Sequence, residues 1–328
     1  MKSKLLTLLG LCLTFTSDSL YSQTYWIGDG SSTDWFDSYN WDGGYVPMGA
    51  GDVYINNNST GPVIESGTYI SSYLNVYNSS STFGMTGGEV SFARFELTNY
   101  SVGSFTDSSY LNNNGYFNIT SGSLLEILSG SRVISVYMDI YDGGSLRMYG
   151  SSLDVSVMST SYSSVEFQSS YFDGNIWNIY TCDVSISDST VTMWDSFSLN
   201  DNAAFSLYGT SSLHVVNTLT VASGSSIYTN LTSSIIVDDQ MILDGGNLMV
   251  SAFGTFVNGE TFTLFDVGTI VGTFDDIEIH GSTLADGLSW NTDNLYINGT
   301  ITVIPEPSTY ALIFGALALG LAIYRRRK

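Results

Sequence analysis

Between about Pro62 and Val250 the chain alternates apolar and polar residues in short runs. Leu153, Val155 and Val157 alternate with Asp154 and Ser156; Val184 and Ile186, Leu213 and Val215, and Leu219 and Val221 each flank one polar residue. Gly, Ser, Asn and Asp interrupt these runs every several positions. A period of two bounded by turn formers predicts strands with one buried face. No apolar pattern of helical period and useful length precedes residue 310. Proline, which would delete a donor from a strand ladder, is absent from Val63 through Ile304.

Three stretches align without gaps: GSLLEILSGSRVISV (122–136), GSLRMYGSSLDVSVM (144–158) and AAFSLYGTSSLHVVN (203–217). Each reads as a strand, a Gly/Ser corner and a second strand. The first two start 22 residues apart, as do Gly224 and Gly246, and Gly-Gly corners recur at Gly87 and Gly245. A repeat of about 20–22 residues predicts a right-handed parallel β-helix whose turns stack at ~4.8 Å. The available length predicts about 12–13 turns, a rod of roughly 60 Å. Ser, Thr and Asn at equivalent corners would form ladders that satisfy backbone groups. A two-sheet sandwich competes, but its hairpins favour tight Asn-Gly turns, and between Pro62 and Val250 only Asn114-Gly115 supplies one.

The flanks of the repeat region differ from it. Trp26, Trp35, Trp41, Gly43, Gly44, Pro47 and Asp52 lead it, and this series resembles the first segment of secreted bacterial β-helical and autotransporter-like proteins. Such clustered aromatics predict an N-terminal cap over an open sheet end; a tryptophan platform for sugar stacking is the alternative. At the other end stand Phe262, Phe265, Gly272, Thr273, Phe274, Leu288, Trp290, Leu295, Gly299 and Val303. That text is similar to the closing segment of autotransporter-associated repeat regions, implying last coils and a C-terminal cap.

Both termini predict export. Lys2 and Lys4 precede an apolar run from Leu5 to Phe15 and then small polar residues, the plan of a signal peptide, with cleavage expected between Ser22 and Gln23. The last 26 residues carry Pro305, Glu306 and Pro307, an apolar run from Tyr310 to Tyr324, and Arg325, Arg326, Arg327 and Lys328. Helix over that run would span roughly 22 Å, short of a ~30 Å hydrocarbon core unless Ser308, Thr309 and snorkelling arginines extend it. The basic end predicts an orientation with everything before Pro305 outside. These three parts, in order and at the terminus, resemble the PEP-CTERM sorting signal. The resemblance implies recognition by an exosortase, a membrane-embedded cysteine protease-like enzyme, and transient membrane attachment through the helix. It also implies delivery through the inner membrane to the cell surface, or release outside the cell, after processing.

Charge narrows the partners. Residues 23–304 carry three arginines, no lysine and 29 acids, net −26 before their termini. Such a surface repels nucleic acid and anionic membranes and leaves adventitious surface calcium open. Once a signal is removed Cys182 is the one cysteine, so no internal disulfide holds the domain; it shares the inward phase of Val184 and Ile186 and reads as core.

No catalytic set assembles in the sequence. Asp275-Asp276, His280-Gly281 and Asn291-Thr292-Asp293 resemble fragments of polygalacturonase-like motifs, but out of order and within about one coil. Lyase chemistry needs a base beside carboxylates, yet Arg147 falls on the outward phase. His214 and His280 are also outward, with no partner at metal-ligand spacing, so no cofactor or metal is expected. The expected organisation is a signal peptide (1–22), an N-terminal cap (23–61), β-helix repeats (62–256), last coils with a C-terminal cap (257–304) and a sorting signal (305–328). The expected role is a non-enzymatic structural or adhesive exoprotein, with extracellular polysaccharide as a candidate partner. A carbohydrate-binding or polysaccharide-degrading β-helix is the alternative.

Overall fold

The computed structural model describes residues 22–326, apart from 31, 57–59, 66–68 and 72–73, and leaves out the side chains of 22, 69–71 and 307–313. The expected signal peptide and the basic residues Arg327 and Lys328 lie outside the described residues.

The chain is an all-β parallel solenoid of about nine turns with two short helices. Each regular turn has a five-residue strand such as Leu124–Leu128, a corner, and a ten-residue strand such as Arg132–Tyr141. The short strands stack into an eleven-stranded sheet and the long ones into a fourteen-stranded sheet. Long strands bend midway, and the burial pattern shows why. In Ser152–Ser161 the inward residues are Leu153 and Val155, then Met158 and Thr160, so the alternation skips at Ser156 and Val157. Two outward residues in a row turn the backbone through a corner without breaking its pairing. Val157, expected inward by simple alternation, belongs to this bend.

Inward side chains from each coil stack on those of the next. Phe83, Phe92, Phe95, Phe105 and Phe117 form one edge-to-face series, and Phe172, Trp177, Phe197 and Phe205 another, with Phe167 tilted against its first two rings. Leu125, Ile127, Val133, Met138 and Ile140 fill the coil between. The corners are polar and mostly hydrogen-bonded, the buried Ser81 and Ser225 hydroxyls being exceptions. Ser151, Ser170, Ser189 and Ser211 are buried, and each backbone N–H of the first three donates to the hydroxyl one coil on, at 3.3, 2.9 and 3.2 Å. The expected hydroxyl ladders are therefore present. The turn at Ser129-Gly130 takes two successive left-handed residues (φ 55° and 77°), which places glycine where a side chain would be strained.

Two sequence expectations change. The turns number about nine, not 12–13, because the leading segment and the residues after Leu284 add no regular coil, while Phe265–Thr273 and Asp276–Leu284 still pair in parallel as the last one. The stack is accordingly nearer ~43 Å than 60 Å. The gapless alignment also slips: Leu125 pairs with Leu146, whereas Arg132 pairs with Ser152, so one coil advances by 21 residues on one face and 20 on the other. Coil length is absorbed at corners, which a gapless comparison cannot follow. Asn114-Gly115, the one tight turn open to the competing sandwich, makes no hairpin and lies at the midway bend of Tyr110–Ile119.

At the N-terminal end Trp26, Trp35 and Trp41 are buried and pack edge to face. Buried indoles cannot offer a stacking face to sugar, which removes the platform alternative. The far end carries a small antiparallel sheet of Thr261–Thr263, Thr300–Pro305 and Leu288–Asn291, beside a single-turn helix α1 (Leu295–Asn298). Helix α2 (Pro307–Arg326) follows. It begins at Pro307, since a helix's first residue needs no backbone donor. Among the described residues no helix is long and apolar enough to cross a membrane, against the transmembrane helix expected there. The uninterrupted apolar stretch, Ala311 to Ile323, is thirteen residues or about 20 Å; Ser308, Thr309 and Tyr310 precede it and arginines follow.

Candidate functional site

The bends of the long strands are not all alike. Residues 136–137, 156–157 and 175–176 form two-residue bends in three consecutive coils. The flanking coils use three residues, Asn114-Gly115-Tyr116 on one side and Trp194-Asp195-Ser196 on the other. The pairing registers record both changes, shifting between Ser135 and Tyr137 and between Gly174 and Ile176. An extra residue in one strand of a pair is a bulge, and it pushes its side chains outward. Three recessed coils between two bulged ones make a groove.

The groove holds two adjoining hollows of about 220 and 240 Å³. Trp194 walls the first, with its indole 56% exposed. Its Nε1 donates to Asp173 Oδ1 on the preceding coil, which fixes the ring's orientation. Asp154 pairs in register with Asp173 and faces both hollows. Arg132 binds Asp154 Oδ2 through Nε and a terminal nitrogen, both at 2.7 Å. Tyr171, 67% exposed, lines the second hollow with Thr190 and Thr192. Each carboxylate keeps lone pairs beyond its one partner, so the groove is rich in acceptors and hydroxyls.

A second surface feature is a ladder of rings. Tyr25, Tyr54 and Tyr77 stack at 5.2 and 5.1 Å, and Tyr116 and Tyr137 at 5.0 Å. The Arg94 guanidinium lies 6.0 Å from the centroids of both Tyr77 and Tyr116, bridging the two stacks. Burial, then the nearby Asp52 carboxylate, pushes the phenols of Tyr54 and Tyr77 up, so both stay protonated.

The residues singled out in the sequence lie apart from one another. Asp275 accepts from the Gly246 N–H at 3.1 Å, His280 contacts Glu278 at 2.7 Å, and Asn291 binds Asp293 at 2.8 Å. Asp275 reaches only a backbone group of the neighbouring coil, the other two contacts are local, and no set of catalytic side chains is brought together by them. Arg147 is outward, beside Glu166 at 3.7 Å and in register with Glu126. His214 meets Asp238 at 3.0 Å. Cys182 is buried in a corner beside Ser163, and burial pushes its thiol up, away from the nucleophilic thiolate. No cluster of three metal-ligating side chains occurs among the described residues.

Of the expected processing residues, Ser22 and Gln23 open the first strand and pair with Gly51 and Asp52. Pro305 ends the last cap strand opposite Leu288, and the Glu306 N–H donates to Gly287 O at 2.8 Å. Pro305 and Glu306 are thus tied to the cap sheet rather than standing free of it. Arg325 and Arg326 close α2. The groove was missed in the sequence. Its signal was the spacing of corner serines: 19 residues from Ser151 to Ser170 and again from Ser170 to Ser189, against 22 from Ser109 to Ser131 and from Ser189 to Ser211. Compared with protein-family models, curated proteins and solved structures, the chain matches none.

Proposed function

We infer that this chain is an exported, right-handed solenoid rod delivered to the cell surface by a PEP-CTERM tail, where it serves as a structural or adhesive protein. The observation that carries the reading is the direct succession of cap strand, Pro-Glu-Pro, apolar helix and basic end, with nothing between the rod and its handle. Helix α2 leaves Phe314, Leu317, Leu319, Leu321 and Ile323 exposed, an apolar surface that water disfavours and a bilayer accepts. Arginines that reach toward headgroups would extend its thirteen apolar residues toward a full span. An exosortase-like enzyme would then meet the triplet at the outer membrane face. Because Pro305 and Glu306 are tied to the cap sheet, cutting there requires the last cap strand to loosen.

Intact-mass measurement on protein extracted from the native cell surface tests this. Residues beyond the triplet should be missing, whereas a heterologous host lacking the enzyme should retain the full tail in its inner membrane. Arg325 to Lys328 still attached to native surface material would refute the assignment.

The groove favours the adhesive over the purely structural role, since a spacer has no use for a recessed, partly aromatic face. The rod is read as non-enzymatic. All three body arginines are engaged with carboxylates, Arg94 with Glu96, Arg132 with Asp154 and Arg147 with Glu166.

A further inference from the structure

We propose that the groove on the three shortened coils binds a short stretch of neutral polysaccharide, with Trp194 as the stacking face. The proposal rests on the adhesive reading above and names its ligand class. Trp194 is exposed on one side and held by its Nε1–H bond to Asp173, so the ring presents a fixed apolar surface. A rigid amphipathic ring with a tethered polar edge suits the C–H face of a pyranose, which is apolar while its rim is hydroxylated.

The groove's polar atoms define the rest of the ligand. Asp154 and Asp173 are ionised acceptors that still have open lone pairs, so the ligand must donate hydrogen bonds. Thr190 and Thr192 both donate and accept. Arg132 is already occupied by Asp154 and offsets one of the two carboxylates, leaving the groove net negative on a rod of the same sign. An anionic uronate chain is repelled from such a surface, and a neutral hydroxyl-rich chain is not. The two hollows span the same four coils and adjoin along the strand direction, about two residues apart, so a chain that fills both lies across the rod and covers few sugar units. Each hollow is smaller than the ~300 Å³ lower bound of drug-sized sites, consistent with a chain lying in a groove rather than an engulfed molecule.

The test uses the full chain in detergent, titrated with cellohexaose, xylohexaose and mannohexaose, and with oligogalacturonate with and without calcium. Titration calorimetry reads the parent and the variants alike, and in the parent a change in intrinsic fluorescence points to Trp194, because Trp26, Trp35, Trp41 and Trp177 are buried and Trp290 is partly buried. Saturable binding of at least one neutral oligosaccharide is expected, weakened about tenfold or more by Trp194→Ala and much less by Trp194→Phe. Asp173→Asn should weaken it severalfold, and Tyr162→Ala, an exposed ring at a distant corner, should leave it unchanged. Circular dichroism of each variant should match the parent. Binding that Trp194→Ala leaves intact, preference for the uronate, or no saturable binding across the panel overturns the proposal. A chain that fails to bind but is still trimmed at the native surface leaves the sorting assignment standing.

Discussion

Asn40 and Gly30 are locked together at the N-terminal end of the rod. The Gly30 N–H donates to Asn40 Oδ1 at 2.6 Å, while Asn40 Nδ2 donates to the carbonyls of Ser32 and Asp34 at 2.9 and 3.1 Å. Asn40 is fully buried, and a Cβ at position 30 would sit within 2.4 Å of its amide oxygen. One buried amide thus fastens a loop that wraps the tryptophans. Asn40→Ala strands these backbone groups and should cost about 2–3 kcal/mol. Hydrogen exchange should localise the loss to the amides of 24–55, with the central coils unchanged.

The bend geometry separates two neighbouring positions. Val155→Asp buries an unpaired carboxylate at a site 2% exposed and should cost on the order of 3 kcal/mol or more. Asp154→Ala removes only an exposed pair with Arg132 and should cost less than ~1 kcal/mol. Denaturant titration distinguishes them, and equal effects would contradict the assigned inward phase.

The serine corners are predicted to act one coil at a time. Ser170 accepts from the Ser151 N–H and donates to Gln168 O at 2.8 Å. Ser170→Ala leaves a buried N–H without its partner, a loss of roughly 1–2 kcal/mol. The Ser151 amide should exchange faster while Ser211, two corners on, keeps its protection.

Asp139 gives the rod a defined pH response. Burial raises its carboxyl pKa above the ordinary 3.8. The folded state therefore holds the proton more tightly than the unfolded state, and stability falls as pH rises from 3.8 through the folded value. Asp139→Asn removes that loss. The variant should melt at a higher temperature than the parent at neutral pH, and the advantage should disappear below pH 3.8.

Turnover of polysaccharide is not expected. Incubation with pectin, alginate and neutral glucans should release no reducing ends and no unsaturated uronate above a boiled control. Activity abolished by Arg147→Ala or Asp276→Asn would reverse the non-enzymatic reading.

Period-two patterning was enough to place Leu153, Val155, Arg147, His214 and Cys182 on the correct face, because alternation is a local property of a strand. Coil number was not legible. The stretches 122–136 and 144–158 look equivalent residue for residue, yet corners absorb insertions, so the pairing partner of Arg132 is Ser152 and not Asp154. The groove lies deeper still. It arises from a one-residue difference between the bends at 175–176 and 194–196, which has no meaning until the coils are in register. Trp194 alone, in a sequence with six tryptophans, gives no hint of exposure.

Because each coil hydrogen-bonds only to the one before and the one after, the rod is graduated. Removing or duplicating a whole coil would change its reach by one step of about 4.8 Å and leave both ends as they are. The groove sits at a fixed height on that scale, several steps from the tryptophans and several from α2. Adding or removing coils on either side would carry the recess nearer to or farther from α2, so that its height on the rod can vary without any change in its shape.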